Sequence, residues 1–147
     1  MPSHGKRLIK LSKTKSHREA MLANMATSLF QSGAIQTTLA KAKVLRPYAE
    51  RLVTYAKKGD LNSQRLMFDV LRDRDVVKKV VKEIAPQLAD RNGGYTRILR
   101  IAKKRLGDGA DLAFIQLLIE RPKVEKLKEG DKKKAKEKNK EAEAASK

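Results

Sequence analysis

The chain of 147 residues has no cysteine, no tryptophan, only two histidines, and 17 acidic residues against 35 basic ones. Without cysteine there is no disulfide framework and no thiolate metal site, and nothing argues for an oxidising compartment. His4 and His17 sit in no carboxylate pattern with metal-ligand spacing. No Ser-His pair or paired carboxylates has the spacing of nucleophilic or acid-base work, so neither catalysis, a metal, a cofactor nor a small-molecule substrate is expected. The aromatics, Phe30, Tyr48, Tyr55, Phe68, Tyr95 and Phe114, are scattered rather than clustered on one strand as in base-stacking readers of single-stranded RNA. Long apolar runs are also missing. The most apolar window, LAFIQLLIE, is too short to span a bilayer, and MPSHGKRLIKLSKTK contains no apolar stretch of signal-peptide length, so the expectation is a cytoplasmic chain, neither secreted nor inserted.

What is present is positive charge. The formal net charge is +18 and the isoelectric point about 10.3, an excess that attracts an extended polyanion, nucleic acid first among them. Apolar residues make up 40%, enough for an ordinary core, and the length suits one domain. Residues 1–15 carry Lys6, Arg7, Lys10, Lys13 and Lys15 with no acid, together with Pro2 and Gly5, and read as an extended basic arm that orders on a polyanion. Residues 122–147, rich in Lys, Glu and Ala, have no regular apolar stripe and read as a solvated helix or a disordered tail. Residues 16–121 remain as the globular domain.

Within that domain, Ser16 and Glu19 have capping-box spacing, and Leu22, Met25, Ala26, Leu29 and Phe30 recur at helical intervals before Gly33, a C-terminal stop. Ala34 to Thr37 reads as a short strand. Thr37 or Thr38 then caps a second helix whose apolar face is Ala42, Leu45, Ala49, Leu52, Val53 and Ala56, with a kink or restart expected at Pro47. Asp60 caps a short third helix with Leu61, Met67, Phe68 and Leu71 as candidates for burial. Asp73 or Asp75 caps a fourth, striped by Val76, Val77, Val80, Val81 and Ile84 and stopped by Pro86. After Arg91-Asn92-Gly93-Gly94, residues 95–102 and 112–120 read as two strands joined through Gly107-Asp108-Gly109 as a hairpin, with Ile115, Leu117 and Ile119 facing the core. The predicted class is α+β: a two-layer domain with about four helices on one face of a small three-stranded sheet that contains a C-terminal β-hairpin, the other face remaining free for a partner.

The second helix opens with Lys41 and Lys43, followed by Arg46, where the macrodipole favours carboxylates. Solvation explains exposed lysines, but a phosphate would use the free backbone N–H groups, the Thr37 or Thr38 hydroxyl and both lysines together. Ser16, His17 and Arg18 open the first helix in the same way, with Glu19 as a local compensator. By strand alternation Arg97 and Arg100 lie on opposite faces, and Arg97, with Tyr95 beside it as a possible base-stacking ring, is the one assigned to the uncovered face.

Three stretches carry a family resemblance: Ser16-His17-Arg18 with Asn24-Met25; Ile35-Gln36-Thr37-Thr38 with Lys41-Ala42-Lys43 and Leu45-Arg46; and Gly93-Gly94-Tyr95-Thr96-Arg97-Ile98. In order and spacing they resemble the bacterial large-subunit ribosomal protein of the seventeenth family. The resemblance implies a structural component of the large subunit that binds its ribosomal RNA near the exit of the nascent-chain tunnel, in contact with neighbouring large-subunit proteins. The candidate RNA-binding set is therefore Lys6, Arg7, Lys10, Lys13, Lys15, Ser16, His17, Arg18, Thr37, Thr38, Lys41, Lys43, Arg46, Tyr95 and Arg97. A helix-turn-helix DNA-binding regulator is the alternative, with residues 39–58 and 61–71 as the two helices and Asn62, Gln64 and Arg65 offered to bases.

Overall fold

The computed structural model describes residues 9–119. Helix α1 spans Lys15–Ser32, strand β1 Ala34–Thr38, α2 Leu39–Lys58, α3 Leu61–Leu71 and α4 Arg74–Lys79. The last helix continues through a π-helical stretch, Val80–Ile84, into a final turn, Ala85–Gln87, and the chain closes with β2, Thr96–Lys104, and β3, Asp111–Leu117. The α+β architecture agrees with the sequence reading: helices cover one face of a three-stranded antiparallel sheet with a C-terminal hairpin.

Helix boundaries follow local chemistry. Gly33 and Gly59 end α1 and α2 with φ of 74° and 71°, a left-handed conformation that glycine adopts without steric penalty. Asp60 accepts from the Ser63 N–H (3.1 Å), and Asp73 from Asp75 and Val76 N–H (2.9 and 3.2 Å), so the starts of α3 and α4 are satisfied by side chains. At α1 the expected capping box does not form. Thr14, not Ser16, is the N-cap, no side chain caps the first turn, and Ser16 lies inside the helix.

Pro47 neither splits nor ends α2. It is exposed, so the carbonyl of Lys43 that loses its N–H partner faces water. Pro86 does not stop the fourth helical segment where expected. The proline ring crowds the carbonyl four residues earlier, and the preceding turn widens so that the Ala85 N–H bonds to the Val80 carbonyl.

The strand order is β1-β3-β2, so the last strand is central. In β3, Ala113, Ile115 and Leu117 point at the helices and are buried; Ile35 and Ile98 flank Ile115 in register. Ile119 lies past the strand and is half-buried. Phe30, Leu29, Leu45, Val53, Met67, Val76, Val80, Ile84, Ala85 and Leu88 complete a core drawn from every helical segment. Two residues expected inside α3 are outside: Leu61 is 63% and Phe68 40% exposed, because the face of that helix turned inward is Ser63, Met67 and Leu71. On the uncovered sheet face lie Gln36, Phe114 and Leu99 in one row, and Ala34, Gln116 and Arg97 in the next.

Candidate nucleic-acid interface

Strand β1 runs straight into α2, and Thr38 is the hinge. Its hydroxyl accepts from the Lys41 N–H at 3.5 Å, a long bond that caps the helix weakly, and no acid occupies the first turn. Thr38, Lys41 and Lys43 line a cleft of about 460 Å³ with Leu39 and Ala40, closed on one side by Ile9 and on the other by Arg105, Asp108, Ala110 and Asp111 of the hairpin. The start of α2, two lysines and a guanidinium thus share one concave surface with the carboxylates of Asp108 and Asp111.

Arg105 belongs to this cleft and was absent from the sequence-derived set. Its Nε donates to Asp108 Oδ1 at 2.9 Å and its Nη2 to Oδ2. This bidentate bond, helped by the Ala110 N–H at 3.3 Å, holds the Asp108 carboxyl well below the usual carboxylate range and raises Arg105 further above neutrality. Both groups therefore stay charged at any ordinary pH. The sequence signal for Arg105 is the stretch from Arg91 to Gly107, which holds six cations and no acid.

The other expected residues divide. Lys6 and Arg7 lie outside the described residues. Lys10, Lys13 and Lys15 are exposed, but residues 9–14 are not a straight arm: Leu11 and Ser12 take φ of 56° and 52°, the Lys13 N–H bonds to the Lys10 carbonyl, and Leu11 packs on the core as an anchor. His17 is exposed and Arg18 half-buried, donating to the Lys13 carbonyl at 3.4 Å across the uncapped start of α1. Ser16 opens instead onto a separate cleft of about 520 Å³ shared with Glu19, Tyr48 and Asp69. There burial, and then the negative charges of Glu19 and Asp69, push the Tyr48 hydroxyl above its ordinary pKa, so Ser16 does not share a surface with the cations of α2.

Thr37 turns toward α1 and lines a third cleft with Asn24, Met25 and Ser28. Arg46 is exposed but occupied: its Nε donates to Glu50 at 3.2 Å, and the same carboxylate accepts the Thr96 hydroxyl at 3.1 Å, tying α2 to β2. Tyr95 is 4% exposed and is a core residue, not a base-stacking surface. It precedes β2, so strand alternation does not govern it, and its ring lies beneath the Lys57 ammonium at 5.3 Å. Arg97 is exposed on the uncovered sheet face, as strand alternation requires, while Arg100 stands on the opposite side at the sheet edge. In the helix-turn-helix alternative, the Gln64 amide offered to a base donates instead to the Gly59 carbonyl at 3.1 Å.

Residues 21–118 match the family model described as Ribosomal protein L17. Among curated relatives, the "Large ribosomal subunit protein bL17" of Bifidobacterium adolescentis is 52% identical over 124 residues, covering 83% of this chain and 79% of the relative. The proteins of the same name from Campylobacter lari and Campylobacter concisus are 50% and 49% identical, over 78% and 80% of this chain and 96% and 97% of their own lengths. With the family model spanning most of the described residues and each of three relatives identical to this chain at about half of its aligned positions, the chain belongs to the ribosomal protein L17 family.

Proposed function

We propose that this chain, by its family a structural component of the large ribosomal subunit in the cytoplasm, binds large-subunit ribosomal RNA through backbone phosphates and RNA shape rather than base sequence. The observation that carries this reading is the cleft at the α2 opening, where Thr38, Lys41 and Lys43 stand at a helix start with no acid in its first turn, and where the two carboxylates of the facing wall include Asp108, which is already engaged by Arg105. A solvated surface has no need to place Lys41 in the first turn of a helix, where a cation is unfavourable by roughly 0.3–1 kcal/mol. A phosphate reverses that sign and also accepts the free N–H groups. Lys10, Lys13, Lys15, His17 and Arg18, with Lys6 and Arg7 before them, extend the contact along the start of α1, and Arg97 supplies one from the open sheet face. Binding near the exit of the nascent-chain tunnel, beside other large-subunit proteins, follows from the family resemblance.

The test is assembly. Tagged full-length chain added to cell extract is expected to sediment with large subunits, to be released by RNase and to be unaffected by DNase. Chain that stays with chromosomal DNA, or sediments unchanged after RNase, overturns the proposal.

A further inference from the structure

The acid-free stretch that supplies Arg105 makes up all of β2 and the start of the turn, while the returning half of the hairpin carries Asp108 and Asp111, the latter opposite Lys104. Arg97, Arg100, Lys103 and Lys104 are exposed and form no ion pair among the described residues. β2 is an edge strand, and its register breaks between Arg100 and Lys104, an irregularity that re-aims the side chains leading to the tip. Beyond it the loop is clamped. The Arg105 N–H bonds to the Ala110 carbonyl and the Gly109 N–H returns to the Arg105 carbonyl, both at 3.0 Å, while the Arg105–Asp108 pair braces the base. Gly107 and Gly109, at φ of 102° and 62°, make the tight reversal. At the tip, Leu106 is 87% exposed.

A rigid loop that presents a bare leucine behind three consecutive cations has two ordinary explanations. Lysines on an edge strand block pairing with another sheet, but that role places no apolar side chain at the tip. A protein-docking knob accounts for the leucine, yet it leaves Arg97, Arg100, Lys103 and Lys104, four exposed cations on one strand in no ion pair among the described residues, without a role. We propose that the β2–β3 hairpin is a separate RNA anchor, in which Lys103 and Lys104 neutralise backbone phosphates and Leu106 packs against an unstacked base or ribose. The clamp fixes the loop before binding, so little conformational freedom is lost on contact. This inference rests on the RNA-binding reading above and extends it to residues outside the α2 cleft.

The experiment uses the full-length chain and a transcript of large-subunit ribosomal RNA, with affinity measured at several salt concentrations for wild type, K103Q/K104Q and L106S. All three positions are exposed, and equal thermal midpoints verify that the variants fold. K103Q/K104Q is expected to flatten the log–log salt dependence by roughly 1.4–1.8 for two lost phosphate contacts. L106S is expected to weaken binding about tenfold with the slope unchanged, because it removes apolar burial and no charge. Wild-type binding with both variants indistinguishable from it overturns the hairpin proposal and leaves the α2 cleft untouched, including the case where K103Q/K104Q merely self-associates. Failure of the wild type to bind overturns both readings.

Discussion

Replacing Lys41 and Lys43 together with glutamine separates a binding role from a solvated one, because phosphate contacts predict weaker and less salt-dependent binding and solvated lysines predict no change in either. Each lysine that neutralises an RNA phosphate contributes about 0.7–0.9 to the slope of log K against log salt, so two contribute roughly 1.4–1.8. Between 50 and 200 mM salt, a change of about 0.6 log units, wild-type affinity is expected to fall roughly tenfold further than that of K41Q/K43Q. The free protein should respond in the other direction. Lys41 lies in the first turn of α2, where the dipole opposes a cation, and Lys43 in the second, where the effect has largely decayed. Removing both charges is therefore expected to stabilise the unbound fold by about 0.3–1 kcal/mol, a rise in thermal midpoint of a few degrees for a domain of this size. R46Q is the control: because Arg46 is already engaged by Glu50 at 3.2 Å, its loss should change the salt slope less than the loss of either lysine. Binding titrations across the salt range and thermal unfolding monitored by circular dichroism measure both quantities. An unchanged slope for folded K41Q/K43Q refutes the assignment of phosphates to this cleft.

Met67 is completely buried among α3's contacts, so Met67→Ala is expected to destabilise by about 2–5 kcal/mol in urea unfolding, whereas truncation of the 87%-exposed Leu106 should leave the midpoint unmoved. Asp73 accepts two backbone N–H bonds, and Asp73→Ala should cost about 1 kcal/mol by the same measurement. Bonds from Ser63 hold the Asp60 carboxyl below its ordinary pKa of 3.8 in the folded state. That contribution is fully present above the unfolded-state value and disappears as pH falls through the lowered one. Asp60→Asn should accordingly show a shallower loss of stability than wild type as the solution is acidified below about pH 4, and parallel curves would count against the capping role.

Most helix limits were readable because they depend on neighbours in sequence. Gly33 and Asp60 act within a few residues and serve as read, and of the two candidates Asp73 and Asp75 it is Asp73 that caps α4. Apart from the α1 cap, which falls at Thr14 rather than Ser16, and the turn at Pro86, the failures came where a distant element decides. Leu61 and Phe68 read as core, but only the face of α3 turned to α1 and α2 is covered, and a buried Ser63 takes the inward position. Tyr95 read as a surface ring because it neighbours Arg97, yet it is enclosed under Lys57 from α2. At the site, charge statistics located the α2 opening, since a cation in the first turn violates a local rule. They could not show that Arg46 is partnered by Glu50 and Thr96, or that the hairpin brings Arg105 beside Lys41, because both depend on how β2 lies against α2.

The central position of β3 constrains the order in which this molecule can mature. β1 and β2 do not pair with each other; each waits for a segment that leaves the synthesising ribosome after both. The helices, whose contacts are mostly local, can collapse while translation continues, but the sheet can close only in the final stage of synthesis. A truncated product ending before Asp111 would leave β1 and β2 both unpaired, and Arg105, although present, would have no hairpin to hold it at the α2 opening.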